Sequence, residues 1–395
     1  MSSLVNHGAM RFSNLISFLI LGILEASWAP MVPFIKNRFT LSEGELGWLL
    51  LCTGCGAVLC LPFAGFFTSR AGAKLTAYSS SIVMGLALFG VSLSTYLPLT
   101  ALSLIVFGAM TISLDVSSNV NAVIVERICK RPLMSGFHGG YSLGALLGSF
   151  FTSLLFTLGF GISPTAGILL FVSLCLLFSC CSHLISDIKT YEQHDEQNET
   201  NQQLSKVKAG IPGLVIIIGS LCFIMYCAEG AVMSWSAVFA HQERGLNLEY
   251  SGYIYSSFAI TMTASRLFGN KVVTLCGRRR TVVTGGIMVT LGFISTTIPN
   301  LLTNIAGFAL IGLGTGNIVP QMVSFAGTLK GYPVHKTIAV INAFGYSGLL
   351  VGPVAIGFVA EHISIAGAFV MIGIFTFIAA CVNFVIMRPK NCNNH

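Results

Sequence analysis

Twelve apolar segments, each about 20 residues long and divided by short polar turns, limit what this 395-residue chain can fold into. They fall at 12–36, 45–69, 75–95, 98–125, 134–158, 163–186, 212–240, 250–270, 281–299, 301–328, 336–359 and 364–387. Hydrocarbon offers no hydrogen bonds, so a spanning backbone must satisfy its own N–H and C=O groups, which such runs do as helices. The expected fold class is an all-α membrane protein with twelve transmembrane helices in two pseudo-symmetric six-helix halves. An even number of crossings puts both termini on one side.

Charge supports this reading. Only 9% of residues are charged, although the net charge is +7. With a cytoplasmic N-terminus, the cytoplasmic turns hold seventeen of the 21 Lys and Arg residues, including Arg278-Arg279-Arg280. Lys36, Arg38 and Arg244 fall outside, and Arg266 is left within a segment. Such a bias is the signature of topology, not of nucleic-acid binding. A bacterial inner-membrane location with both termini cytoplasmic is expected. Arg11 and the apolar run after it suggest a secretory signal, but no small-x-small cleavage site follows, so the run is read as a retained first helix. Most of the 12 cysteines lie in apolar segments, where they serve as small packing residues. Cys52 and Cys55 lack nearby histidines or a second pair, so no metal or other cofactor is expected.

The longest polar stretch, Ser186 to Gly210, reads as a disordered linker. The expected organisation is 1–186 as an N-terminal six-helix half, 187–210 as a cytoplasmic linker and 211–395 as a C-terminal half. A repeat runs through both halves at nearly constant offset. Gly47, Gly72 and Gly140-Tyr141-Ser142 recur 205 residues later as Gly252, Gly277 and Gly345-Tyr346-Ser347, and Glu25 recurs after 204 as Glu229. Parallel repeats of this kind build secondary transporters, with the substrate cavity between the repeats.

On these residues the chain resembles the major facilitator superfamily over essentially its whole length. The loop after helix two, Gly65-Phe66-Phe67-Thr68-Ser69-Arg70-Ala71-Gly72-Ala73-Lys74, is similar to the superfamily's marker, with Ser69 in place of its acid. Acids in helices one and four, Glu25 and Asp115, are similar to the fucose-permease-like sugar and proton symporters. So is the run from Asp115 to Asn121 with Glu126, Arg127 and His138, which resembles related bacterial permeases of unassigned substrate. Helix five, Gly144-Ala145-Leu146-Leu147-Gly148, lacks the proline of the drug and proton antiporters. The resemblance implies proton-coupled symport of a small polar, sugar- or polyol-like solute by alternating access.

The candidate residues follow from the cost of polarity in a membrane. Glu25 lies near the middle of helix one, where an unpaired charge costs at least about 2.5 kcal/mol, so it leads as the proton-coupling site. Its repeat Glu229 is either a second protonation site or the partner of Arg266. Arg266 would pair with Glu229, hold an anionic substrate, or extend to the surface. Trp28 is a candidate stacking platform for a sugar. Asp115 and Asn119, four apart on one helix face, offer acceptors and a donor to a hydroxyl-rich ligand. Asn317 and Gln321 also share a face, and with Asn342 they complete the candidate polar lining. Glu126 is expected at a helix end or in a salt bridge. His138 is a candidate relay at the gate, because imidazole titrates near neutral pH.

No P-loop pattern marks ATP as the energy source, and no nucleophile-base constellation marks an enzyme. The expected partners are a small-molecule solute, protons and the lipid bilayer, without nucleic acid, around a monomer. Sodium stays open as the coupling ion. An exporter of small molecules or organic acids is one alternative, and a nontransporting membrane sensor is another.

Overall fold

The computed structural model describes residues 7–129, 133–186, 213–326 and 334–387. The expected linker 187–210 lies outside the described residues. Among the described residues twelve long helices and one single-turn helix are formed: α1 His7–Phe39, α2 Glu43–Ala71, α3 Ala73–Leu93, α4 Leu97–Cys129, α5 Met134–Thr157, α6 Ile162–Cys180, α7 Gly213–Gln242, α8 Leu248–Ser251, α9 Tyr253–Cys276, α10 Arg278–Ser295, α11 Leu301–Ala326, α12 Val334–His362 and α13 Ile365–Ile386.

The twelve expected segments each fall on a long helix, with some ends displaced. The eighth segment, expected from 250, is broken: α8 forms one turn, and α9 starts afresh at Tyr253. The sixth stops at Cys180, not 186. Beyond it the chain turns so that Ile185 N–H can reach Asn121 Oδ1 at 3.0 Å and its carbonyl can accept from Lys74 N–H at 3.0 Å. Among the described residues, ten of the long helices are long and apolar enough to cross a membrane. The other two, α9 and α10, carry Arg266 with Lys271 and Arg278 to Arg280.

Caps and turns explain where helices start and stop. Ser42 accepts from Glu45 N–H while the Glu45 side chain accepts from Ser42 N–H, a reciprocal cap that opens α2. A single residue, Gly72, separates α2 from α3, and Gly277 alone separates α9 from α10. Their φ angles are +87° and +81°, a region open to glycine and costly to other residues. The repeated glycine of the sequence is therefore a repeated backbone turn.

The chain forms two compact units. The first takes in the described residues of Met1–Lys206 together with Leu246–Tyr253. Within it α1 packs against α3, α4, α5 and α6, which is why most of its residues are buried. Its closest neighbour is α5. Gly140, Gly144 and Gly148 stand four apart on α5, and a Cβ at the latter two would strike the carbonyls of Leu19 and Ile23. Gly22 answers from α1, against the Tyr141 carbonyl. Helices α2 and α4 approach in the same way through Gly56 and Gly108. Lipid tails supply no hydrophobic drive between helices, so backbone approach at small residues does the holding.

The second unit comprises the described residues of Val207–Gly245 and Ile254–His395. Here α7 packs on α12, with Gly348 against Phe223 and Gly352 against Cys227. Trp235, fully buried, donates through Nε1 to the Pro353 carbonyl at 3.0 Å. Phe239, Phe293, Phe308 and Phe369 form an aromatic cluster beneath.

Each unit also carries an arginine cap that repeat spacing alone does not reveal. Arg38, at the end of α1, donates to the Ser92 and Ser94 carbonyls at 2.8 and 2.9 Å, closing the C-terminus of α3. Arg244, just past α7, donates to the Thr296 carbonyl at the end of α10 and to Asn304 Oδ1. Cations placed there satisfy terminal carbonyls and oppose the negative end of the helix dipole.

Candidate functional site

In the first unit the polar side chains of α1 meet partners on α4 and α5. Tyr141 of α5 donates its hydroxyl to Glu25 Oε2 at 3.1 Å. The tight α1–α5 seam, with glycines on both sides of Tyr141, sets that hydroxyl beside the carboxylate. Trp28, one turn along from Glu25, is 3% exposed and packs inside the unit.

On α4, Asn119 Nδ2 donates to Asp115 Oδ1 at 2.9 Å and to the Asp115 main-chain carbonyl at 2.9 Å. The two residues therefore share a face and bond to each other. Nearer the end of the helix, Asn121 Nδ2 donates to Asn14 Oδ1 at 2.9 Å, and Ser17 and Ser118 hydroxyls lie 2.6 Å apart. All four side chains are buried, so this is a polar zipper between α1 and α4. Sequence reasoning passed over it, and the signal was present: Asn14 and Ser17 are three apart on α1, facing Ser118 and Asn121, three apart on α4.

Glu126 accepts from the main-chain N–H groups of Leu133 and Met134 at 2.8 and 2.9 Å, at the start of α5. That position caps orphan donors and favours a negative charge. His138 is exposed, with its ring 5.2 Å from that of Phe18.

In the second unit Arg266 of α9 faces Glu229 of α7, Nη2 to Oε1, at 3.7 Å. Their side chains are 28% and 22% exposed. Hence the two carboxylates of the repeat have different partners. Glu25 accepts from a neutral hydroxyl, whereas Glu229 faces a guanidinium whose charge is permanent. The ring of Tyr346, the repeat of Tyr141, lies 6.5 Å from that of Tyr226.

Asn317 of α11 donates to the Ser265 carbonyl and hydroxyl at 2.7 and 2.9 Å, one residue before Arg266. Gln321 accepts from Arg278 Nε at 3.4 Å, and Arg278 also donates to Ser324 at 2.8 Å. Asn317 therefore joins α11 to α9 beside the ion pair, while Gln321 joins α11 to the first residue of α10. Asn342 lies in α12, but its side chain is outside the described residues.

Sequence and fold comparisons agree with this architecture. A family model described as Major Facilitator Superfamily matches residues 15–325 and 218–391. An uncharacterized MFS-type transporter of Yersinia pestis is 36% identical over 362 residues, which cover 91% of this chain and 91% of that one. A mutant of the nucleoside transporter NupG superposes with a TM-score of 0.76 at 12% identity, over 96% of this chain and all of its own. A D-xylose-proton symporter superposes with a TM-score of 0.72 at 12% identity, over 96% of each chain. At that identity the two structures speak for the fold alone.

Proposed function

Because the chain belongs to the major facilitator superfamily of multi-pass membrane transporters, we propose that it is a proton-coupled symporter for a small polar solute of sugar or polyol type. The observation that carries this reading is the pairing of Glu25 with the neutral Tyr141 hydroxyl. A hydroxyl partner suits either form of the carboxyl, since it can donate to a carboxylate or accept from a carboxylic acid. Glu229 opposite Arg266 has the reverse character, because losing its charge would cost the guanidinium this ion pair. The proton is thus assigned to the first unit, with Glu229 and Arg266 as a charge pair.

Asp115 and Asn119 provide the ligand side. Asn119 donates to one carboxylate oxygen of Asp115, and a carboxylate with an amide beside it supplies the acceptors and donors that suit sugar hydroxyls. In the proposed cycle Glu25 is protonated from outside, solute binds near Asp115 and Asn119, and deprotonation to the cytoplasm accompanies its release. Residues 187–210 serve as the cytoplasmic link between the six-helix halves of a monomer in the bacterial inner membrane.

The test is proton movement in proteoliposomes containing the purified protein, against pooled sugars, polyols, amino acids and organic acids, with Glu25→Gln in parallel. A solute-dependent pH change lost in Glu25→Gln is expected. Solute crossing without any proton movement would overturn proton coupling and direct attention to sodium. Proton movement opposite in sign, with solute leaving, would make the protein an exporter.

A further inference from the structure

Arg279, in the first turn of α10, lies over the Phe384 ring of α13 with its guanidinium carbon 3.9 Å from the centroid. Its Nε and Nη2 both donate to the Phe384 carbonyl, at 3.0 and 2.8 Å. A cation is thereby held at the C-terminal turn of α13.

Beside it begins a groove of about 380 Å³ between α10 and α13. Val283 and Ile287 line one wall, and Phe377, Cys381, Phe384 and Val385 the other. Ile287, Phe377 and Val385 are 41%, 50% and 60% exposed, so the groove opens outward from the unit. From Phe377 to Val385 it follows α13 for about 12 Å, the rise of eight residues. Nothing on these walls rewards a polar solute, whereas an extended hydrocarbon chain gains contact along the whole length.

Charge is confined to one end. Arg279 and the exposed Arg280 precede Val283 by four and three residues, which puts both on the groove side of α10. Arg280 and Ile287 are seven apart, so they share a face. An apolar track with two guanidinium groups at one mouth matches a molecule with a hydrocarbon tail and an anionic head. Basic sites of this kind beside membrane helices recognise anionic lipid headgroups.

We propose that the α10–α13 groove binds an anionic phospholipid, its acyl chain along Ile287 and Phe377 and its phosphate at Arg279 and Arg280. This site is separate from the polar residues assigned to transport.

The full-length purified protein, stripped of native lipid in detergent, would be mixed with phosphatidylglycerol or phosphatidylcholine of identical acyl chains, and bound lipid counted by mass spectrometry of the intact complex. About tenfold preferential retention of phosphatidylglycerol is expected. Arg279→Gln with Arg280→Gln should bring the ratio near one. Arg280→Gln alone leaves the Phe384 cap intact and should still reduce it several-fold. Ile287→Trp, which fills the outward side of the groove, should reduce retention of both lipids. Equal retention of the two lipids by the unmodified protein, or a ratio unmoved by Arg280→Gln, would overturn the proposal. So would displacement of phosphatidylglycerol by equimolar glycerol phosphate, which carries the head but not the tail.

Discussion

Tyr141 and Glu25 meet through one hydrogen bond of 3.1 Å across helices whose backbones touch at glycines. The bond joins positions 116 residues apart, and its geometry depends on how closely α5 lies against α1. Tyr141→Phe removes the donor and keeps the ring. A hydrogen bond to a charged group contributes about 1.5–3 kcal/mol, so solute-driven proton uptake should fall by about tenfold or more. Its pH profile should also move, which a purely structural loss would not produce. Uptake unchanged at every pH would show that Tyr141 has no part in proton binding.

The α1–α5 seam itself makes a stability prediction. At Gly144 or Gly148 a methyl group would meet a main-chain carbonyl, which cannot swing aside as a side chain can. Overpacking of this kind costs about 1–3 kcal/mol. Gly144→Ala should therefore lower the thermal midpoint in detergent and the yield of folded protein. Gly136→Ala, where a Cβ meets nothing within 4 Å, is the control and should leave both near the original values.

Arg266 and Glu229 should behave as a coupled pair. Removing either charge takes this ion pair from its partner, and the partial exposure of both side chains moderates the cost to about 1–3 kcal/mol. Arg266→Gln and Glu229→Gln should each reduce stability, and the double variant should lose less than the two losses added together. Strict additivity in thermal unfolding of the four proteins would mean that the pair is not coupled.

Glu126 closes the first turn of α5 through two main-chain N–H groups. Glu126→Ala should cost about 1 kcal/mol, typical of a lost N-terminal cap. Glu126→Gln retains an acceptor and should recover part of it. Hydrogen exchange at Leu133 and Met134 would report the change locally, and rates identical to those of the unmodified protein would exclude the capping role.

Cys181 lies just past α6, fully buried, with its thiol donating toward the Ser13 carbonyl at 3.6 Å. Burial is the main cause that pushes this thiol up to about 12, with neighbouring Cys180 adding to it. A raised thiol pKa means that the unreactive protonated form persists throughout the neutral range and the thiolate appears only as pH approaches that value. At pH 8 Cys181 should resist maleimide in the folded protein and react on denaturation. Labelling at the rate of a free thiol before unfolding would contradict the packing around α6.

The number of long helices, their order and the pseudo-repeat were legible because each rests on a local property. A helix in hydrocarbon needs only enough consecutive apolar residues, and a one-residue turn between helices needs glycine, as Gly72 and Gly277 demonstrate. Glu126 was expected at a helix end or in a salt bridge, and its carboxylate accepts from the Leu133 and Met134 N–H groups at the start of the next helix. Spacing of four put Asp115 and Asn119 on one face, and the two bond to each other there. Tertiary structure alone decided which partner each acid received. Glu25 and Glu229 occupy matching places in the repeat, yet one meets a hydroxyl from α5 and the other a guanidinium from α9. Periodicity orients a side chain around its own helix axis but says nothing about which helix is packed there. For Glu25 that choice was made by backbone approach at small residues between α1 and α5.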